Sequence, residues 1–486
     1  MSWWRFQNGL WDNLTAVIAK SNLEDIVVKV IKQLLKCKAN QLPKFVADGR
    51  LPDAVVPYLQ SKLFDATLLE SMDGPSSRFF LLFSDGILLD RRTHHVSPST
   101  LDKYISKHCG YPYPDAEIEA IQNRLTAQGL DLCDILRRAV LAETLHEGDF
   151  ERLPNTLNLE LDRVAATKEM EILKVAHASF ENWAVTFCRA GKLEAARVFA
   201  ERLEVFAIDN GVGSAGKTFL QSVSESTLGN YSIQIKEELI TKDPPSAESP
   251  QPALLALRGC RGFSTPELER TKKIRASWMK KLADPATIWS ARPPYGIREV
   301  KFHLYGLFSM SSNNGVDFSR VDSGVARRCV GCPYKFKFCA DPAPGTNERR
   351  WLVDDNGDQV DIKERDWLLP GVPGWLVWLL AVHKVCFQES QRGIGTLPLC
   401  MKEESEALMV TEVTEIIRQF LTDNCKVCDG SVAMTKTTLL RTLRNDQILK
   451  EDSVEQITIG VEQICEFSTV RGRRNLVVFG GSFVTL

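Results

Sequence analysis

The stretch Val205-Phe206-Ala207-Ile208-Asp209-Asn210-Gly211-Val212-Gly213-Ser214-Ala215-Gly216-Lys217-Thr218 admits two folds. Residues 211–218 satisfy GxxxxGK[ST], the loop whose backbone N–H groups wrap nucleotide phosphates. In that reading Val205–Ile208 is a buried strand and Phe219-Leu220 lies in the helix that follows. Gly211 and Gly216 let the loop turn, Lys217 reaches the β/γ oxygens and Thr218 holds Mg²⁺. In the other reading, Leu193, Ala196, Ala200, Leu203 and Ala207 form one helical apolar stripe. Asn210-Gly211 then stops the helix, because both residues tolerate left-handed φ, and Gly211–Gly216 joins two helices.

Partner residues separate the two. A phosphate loop that works with Mg²⁺ and ATP or GTP needs a carboxylate at the end of a second apolar strand. The best match is Leu352-Val353-Asp354-Asp355, but Asn356-Gly357 follows directly, a two-residue hairpin signal that puts those aspartates on an exposed turn. The entry Ile208-Asp209-Asn210-Gly211 resembles that of deoxynucleoside kinases, none of whose later motifs follows. We therefore expect a connector at 211–218 and keep a P-loop NTPase as the alternative.

Around this segment the chain reads as α+β, with a predominantly helical N-terminal half and a mixed α/β C-terminal half of short strands and hairpins. The first 65 or so residues carry a capping-box pair, Ser21 and Glu24, before an apolar stripe from Ile26 to Leu35, and read as helical. Trp3, Trp4, Phe6 and Trp11 are taken as core packing of a preceding helix. Residues 78–90 read as a hairpin around Ser84-Asp85, with His94 and His95 on a solvated loop after it. Helical periodicity occupies 115–208. Four prolines at 244, 245, 250 and 252 mark 241–253 as a linker, giving domains 1–240 and 254–486. Beyond it, Thr265 and Pro266 open a helix through about Leu282. A further helix carries Val413, Ile416, Ile417 and Phe420, and a hairpin ends the chain over 476–486.

Thirteen cysteines in 486 residues are too few for a disulfide scaffold. Cys37, Cys133, Cys188 and Cys465 read as small buried hydrophobes in a reducing compartment. Cys329-x2-Cys332 with Cys339, and Cys425-x2-Cys428, suggest two knuckles clamping one structural Zn²⁺. His383 or Cys386 is the alternative fourth ligand. Glu299-Val300-Lys301 ahead of these cysteines resembles nuclease families that carry an E-x-K motif and then C-x2-C-x5-C. The spacing here is one residue longer, and this is the remotest reading. Cations cluster after the linker: Arg270, Lys273 and Lys280 on one side of the expected helix, with Trp278 at its edge to stack on a base. That arrangement suits the phosphates of RNA or DNA.

Net charge is −2, so no global field draws the chain to nucleic acid or membrane. The most apolar run, Gly374–Val382, is too short for a helical membrane span and reads as core, and the N-terminus has no secretory signal. Seven scattered histidines assemble no catalytic set. We expect a cytoplasmic protein that binds RNA or protein partners without chemistry of its own. In its solitary phosphate-loop pattern and irregular cysteine spacing it resembles accessory proteins of viruses.

Overall fold

In the computed structural model the described residues are 3–7, 10–14, 72–142, 171–242, 250–265, 267, 272–292, 299–313, 316, 318–319, 323–353, 358–389, 393–409, 412–429, 433–445, 457–458, 461–462, 464–470 and 473–485. The class is α+β, as the residue pattern implies. Near the N-terminus β1 (Trp3–Gln7) and β2 (Leu10–Leu14) pair antiparallel, with Gln7 opposite Leu10. The expected helix is therefore a hairpin at this point. Aromatic residues favour strands, and Asn8-Gly9 between the two runs is the strongest short hairpin signal. The helical stripe expected at 26–35 and Cys37 lie outside the described residues.

A small antiparallel sheet follows: β3 (Phe80–Leu82), β4 (Ile87–Asp90) and β5 (His95–Pro98). The first two strands are the hairpin read from the sequence. Helices α1 (Asp115–Ala127), α2 (Leu132–Ala142) and α3 (Glu171–Phe180) come next. Then α4 (Trp183–Thr186) passes through a π-helical stretch, Phe187–Leu193, into α5 (Glu194–Val198).

The helical stripe ends there. Phe206–Gly211 is a strand, β6, lying between two parallel neighbours. The chain continues through α6 (Lys217–Leu228), β7 (Ser232–Gln234), α7 (Glu238–Thr241), α8 (Pro252–Leu255) and β8 (Gly262–Thr265). After α9 (Ala276–Ala283) and a hairpin of β9 (Ile288–Ala291) with β10 (Val300–His303) come β11 (Leu307–Ser312) and β12 (Cys329–Tyr334). Five of these strands form one parallel sheet in the order β12-β6-β11-β8-β7.

Both faces of this sheet are covered, as an all-parallel sheet requires. Successive residues face opposite sides, so Ala207, Val330 and Cys332 enter one core while Phe206, Ile208, Met310 and Cys329 enter the other. The sheet also crosses the proline-rich segment. Strands β6 and β7 precede it and β8, β11 and β12 follow it, so a domain boundary at 241–253 would split one sheet. Residues 243–249 of that segment lie outside the described ones, and Pro252 opens α8.

Beyond the sheet, β13 (Lys337–Cys339) pairs parallel with β14 (Glu348–Arg350). Helices α11 (Val372–His383) and, before it, α10 (Arg365–Leu368) belong to a helical stretch, Arg365–Glu389. This stretch is long and apolar enough to cross a bilayer, yet 78% of its most apolar window is buried inside the protein. Trp375 and Trp378 are among the largest fully buried side chains, so the run read as core is core. After α12 (Leu399–Ala407), a C-terminal unit has its own apolar cluster around Ile417, Leu439 and Val477. It contains α13 (Glu412–Asn424), β15 (Lys426–Val427), α14 (Lys436–Asn445), β16 (Glu466–Val470), β17 (Arg473–Phe479) and β18 (Ser482–Thr485). Its first helix and last hairpin are those expected.

Candidate functional site

Residues 211–218 leave the carboxyl end of a central parallel strand and enter α6, so the connector between two helices is not what forms. The reason is local. Phe206-Ala207-Ile208-Asp209 is buried on both faces between β11 and β12, and that tertiary burial overrides the helical stripe before it. Asn210-Gly211 ends a strand, not a helix. Gly216 has φ +91, and a Cβ there would strike the Ser179 hydroxyl on α3. A Cβ on Gly211 would strike the Tyr334 carbonyl oxygen. Both glycines are required by contact.

Lys217 is 7% exposed at the first turn of α6, and burial lowers its pKa. Its Nζ donates to the carbonyl oxygens of Gly211 (2.5 Å) and Val212 (2.8 Å) and to Asn313 Oδ1 (2.7 Å). The ammonium is thus folded back over its own loop. Asn313 lies just past β11; its Nδ2 donates to Glu267 Oε2 (2.7 Å) and its N–H to Glu267 Oε1 (3.2 Å). Glu267 lies two residues past β8. Thr218 is exposed and lines the same cavity, of about 910 Å³, together with Glu267 and Asn313. Ligands of open α/β sheets bind in the crevice outside the carboxyl ends of the strands, which is where these groups converge.

The sequence reading missed Glu267 and Asn313. Thr265-Pro266 looked like a helix start, whereas Thr265 ends β8 and the helix begins at Ala276. Strand β8 is only Gly-Phe-Ser-Thr, too short and polar to announce itself. The usable signal was an acidic residue two positions after a β-like tetrapeptide. Asp354 and Asp355 lie outside the described residues.

A buried ion network supports the loop from below. Arg189, on the π-helical stretch, holds Asp209 of β6 by Nε–Oδ1 (2.7 Å) and Nη2–Oδ2 (2.8 Å), and also binds Glu194. Glu194 accepts from Ser224 of α6 at 2.5 Å and faces Arg197 at 3.5 Å. Burial alone would lower the Arg189 pKa, but Asp209 and Glu194 raise it well above the ordinary arginine value. The network ties β6 and α6, on either side of the loop, to the helical part of the chain.

The cysteine set is not brought together. Cys329 and Cys332 lie three apart on β12, an odd spacing that points their sulfurs to opposite faces of the sheet. Burial raises the thiol pKa of both. Cys339 is on β13, while Cys425 and Cys428 flank β15 in the C-terminal unit. His383 directs its ring nitrogens at His94 and Glu201, and Cys386 is buried in the helical core. Among the described residues no group of three or more His, Cys, Asp or Glu is placed to hold a metal. Glu299, of the E-x-K triplet, accepts from Ser290 on the β9–β10 hairpin. Cys188 and Cys465 are buried as expected, and Cys133 is half-buried.

The cationic helix face is also revised. Trp278 is 6% exposed and stacks on Trp289 with centroids 5.3 Å apart, so it is core and cannot receive a base. Lys273 is exposed but precedes the helix, Lys280 is half-buried within it, and Arg270 lies outside the described residues.

No protein-family profile matches the chain. It is 29% identical over 137 residues to a protein described as a putative primase of African swine fever virus, strain Badajoz 1971 Vero-adapted. The aligned stretch covers 28% of this chain and 14% of that protein's length. The corresponding protein of the Warthog/Namibia isolate is 28% identical over 139 residues, again 28% of this chain and 14% of the relative. Two solved structures of the C-terminal region of NrS-1 resemble the chain at TM-scores of 0.34 and 0.37, with 16% and 15% identity. They cover 60% and 64% of this chain and 63% and 75% of theirs. Those scores lie below the range in which a shared fold follows.

Proposed function

We propose that this chain binds and hydrolyses a nucleoside triphosphate at the carboxyl edge of its parallel sheet, as the energy-coupling part of a viral protein that works on nucleic acid. One observation carries this reading: Lys217 and Thr218 at the mouth of α6, Glu267 after β8 and Asn313 after β11 line one cavity. The similarity to a protein described as a putative primase supports nucleic acid as the partner. It spans a seventh of that relative, so the coupling itself is part of the proposal.

The chemistry follows from the residues. The backbone N–H groups of 213–218 face the phosphates at a helix N-terminus. Lys217 leaves its loop carbonyls for the β/γ oxygens. Thr218 is a hard oxygen donor in the cavity and would hold Mg²⁺, which leaves the Glu267 carboxylate as the base. Bound there, the ion would neutralise charge on the β- and γ-phosphates. Glu267, oriented by Asn313, accepts a proton from the attacking water. The new P–O bond forms at the γ-phosphorus, and the bond to the β,γ-bridging oxygen breaks, releasing diphosphate nucleotide and phosphate. Glu267→Gln should keep nucleotide binding and lose hydrolysis by at least about a hundredfold, the scale of a general base. Unchanged hydrolysis in Glu267→Gln would remove the carboxylate from this role.

A further inference from the structure

The cavity is larger than a triphosphate needs. At about 910 Å³ it is lined by the glycine loop, by α3 and by residues 350–352 and 359–363. Ligand pockets that enclose a whole drug-sized molecule fall at roughly 300–1,000 Å³. The phosphate end is fixed, because Gly216 lies against Ser179. Val175 lies four residues back from Ser179 on the same face of α3, about 6 Å away along the axis, and also lines the cavity. The space therefore runs from the phosphates toward an apolar wall.

Another part of the lining comes from a strap after β12, and one backbone hydrogen bond ties it to the loop. Phe338 N–H donates to Ser214 O at 2.9 Å, inside the glycine loop itself. Trp351 N–H donates to Cys339 O at 3.1 Å, and Val360 N–H to Leu352 O at 3.0 Å. Phe338, Trp351, Leu352, Val360 and Ile362 all face the cavity. Leu352 is 46% exposed, one of the few large apolar side chains left so open among the described residues. A leucine and a tryptophan on the rim of a cavity that ends in a phosphate loop are what a flat apolar ring would cover.

We propose that this outer half, between Val175 of α3 and the strap residues Trp351, Leu352, Val360 and Ile362, takes the base of a nucleoside triphosphate, with Trp351 as its principal stacking contact. The inference rests on the nucleotide reading above and adds the residues that contact the base. Hydrogen bonding between the strap and the phosphate loop would let the two ends of one nucleotide be felt together.

The test compares ATP with inorganic tripolyphosphate, which offers the same charged end and no base, by calorimetric titration into the full chain with Mg²⁺. Stacking of one base is worth a factor of about 5 to 150. Trp351→Ala should weaken ATP about tenfold and leave tripolyphosphate unchanged, while Trp351→Phe should retain most of the ATP affinity. Leu352→Ala, at an exposed position that cannot upset the core, should weaken ATP about threefold on the same pattern and decides the matter if Trp351→Ala misfolds. Equal loss of both ligands, or loss of neither, in the correctly folded variants overturns the base site. If instead Lys217→Ala leaves both ligands bound as before, the phosphate site itself has failed. Loss of both ligands in Lys217→Ala with no effect at 351 and 352 would leave the phosphate site standing and the base site refuted.

Discussion

Replacing Arg189 by methionine would remove the centre of the buried ion network beneath the glycine-rich loop 211–218. Arg189, Glu194 and Arg197 are each no more than 1% exposed and Asp209 is 2% exposed, so water cannot stand in for the lost guanidinium. The substitution deletes two hydrogen bonds to Asp209 and one to Glu194. Glu194 keeps Ser224 and Arg197, but Asp209 loses its bidentate partner. Breaking one side of a buried pair costs about 3–5 kcal/mol, most of it from the charge left behind. For a unit of roughly 200 residues each kcal/mol moves the melting temperature by about 2–4 °C, so a fall of roughly 6–20 °C is expected. Circular dichroism melts would read it. The double variant Arg189→Met/Asp209→Asn removes the orphaned charge and should recover about half the loss, a coupling that independent sites would not give. The exposed pair Arg349–Glu181 supplies the control, and Arg349→Met should leave the melt where it was. A loss below about 1 kcal/mol in Arg189→Met, or a double variant no better than the single, would refute the view that this network holds β6 and α6 together.

Two further outcomes follow from side chains whose roles changed between sequence and structure. Trp278→Ala should destabilise by about 3–5 kcal/mol, because the ring is packed against Trp289; unaltered thermal stability with lost RNA binding would restore the stacking role. His94 and His383 predict a pH response. With both rings neutral, His383 donates from Nε2 to Glu201 and accepts at Nδ1 from His94 Nε2, each at 2.9 Å. Burial, then the neighbouring His383 and Lys384, holds His94 down to about 4, against 6.5 when unfolded; Asp90 opposes weakly. Burial also lowers His383, against the opposing pull of Glu201 and with Arg91 adding to it. The unfolded chain therefore binds more protons, so this stability is whole above about pH 6.5 and is lost as the pH falls toward 4. Denaturant titrations from pH 7.5 to 4.5 should show that slope, and His94→Asn should flatten it; an unchanged slope would exclude the pair as its source.

Much of the architecture was legible because its signals were local. The hairpin at 80–90, the helix at 412–424 and the terminal hairpin rest on alternation, apolar period and turn chemistry. The buried run around Trp375 followed from composition alone. What failed was decided by tertiary contact. Val205–Ile208 continues a helical stripe in the chain, and only its parallel neighbours β11 and β12 make it a strand. Cys329 and Cys332 have knuckle spacing, but in an extended strand that spacing separates the sulfurs. Trp278 looked like a surface ring because its stacking partner, Trp289, is eleven residues away. The glycine-rich motif at 211–218 was visible at once, while the residues that share its cavity were not. Glu267 follows a four-residue strand with no apolar run, and Asn313 follows Ser311-Ser312, so neither advertised a partner. Parallel pairing, which sets β8 and β11 beside β6, is the least local feature of the fold and the one the site depends on.

The most direct measurement is calorimetric titration of ATP with Mg²⁺ into the full chain and into its Lys217→Ala variant, with melts confirming that both are folded. Saturable, micromolar binding to the unaltered protein and none to Lys217→Ala are expected, because the ammonium that now bonds Gly211, Val212 and Asn313 is the group that would meet the phosphates. No binding to the unaltered protein, or equal binding to both, would contradict it.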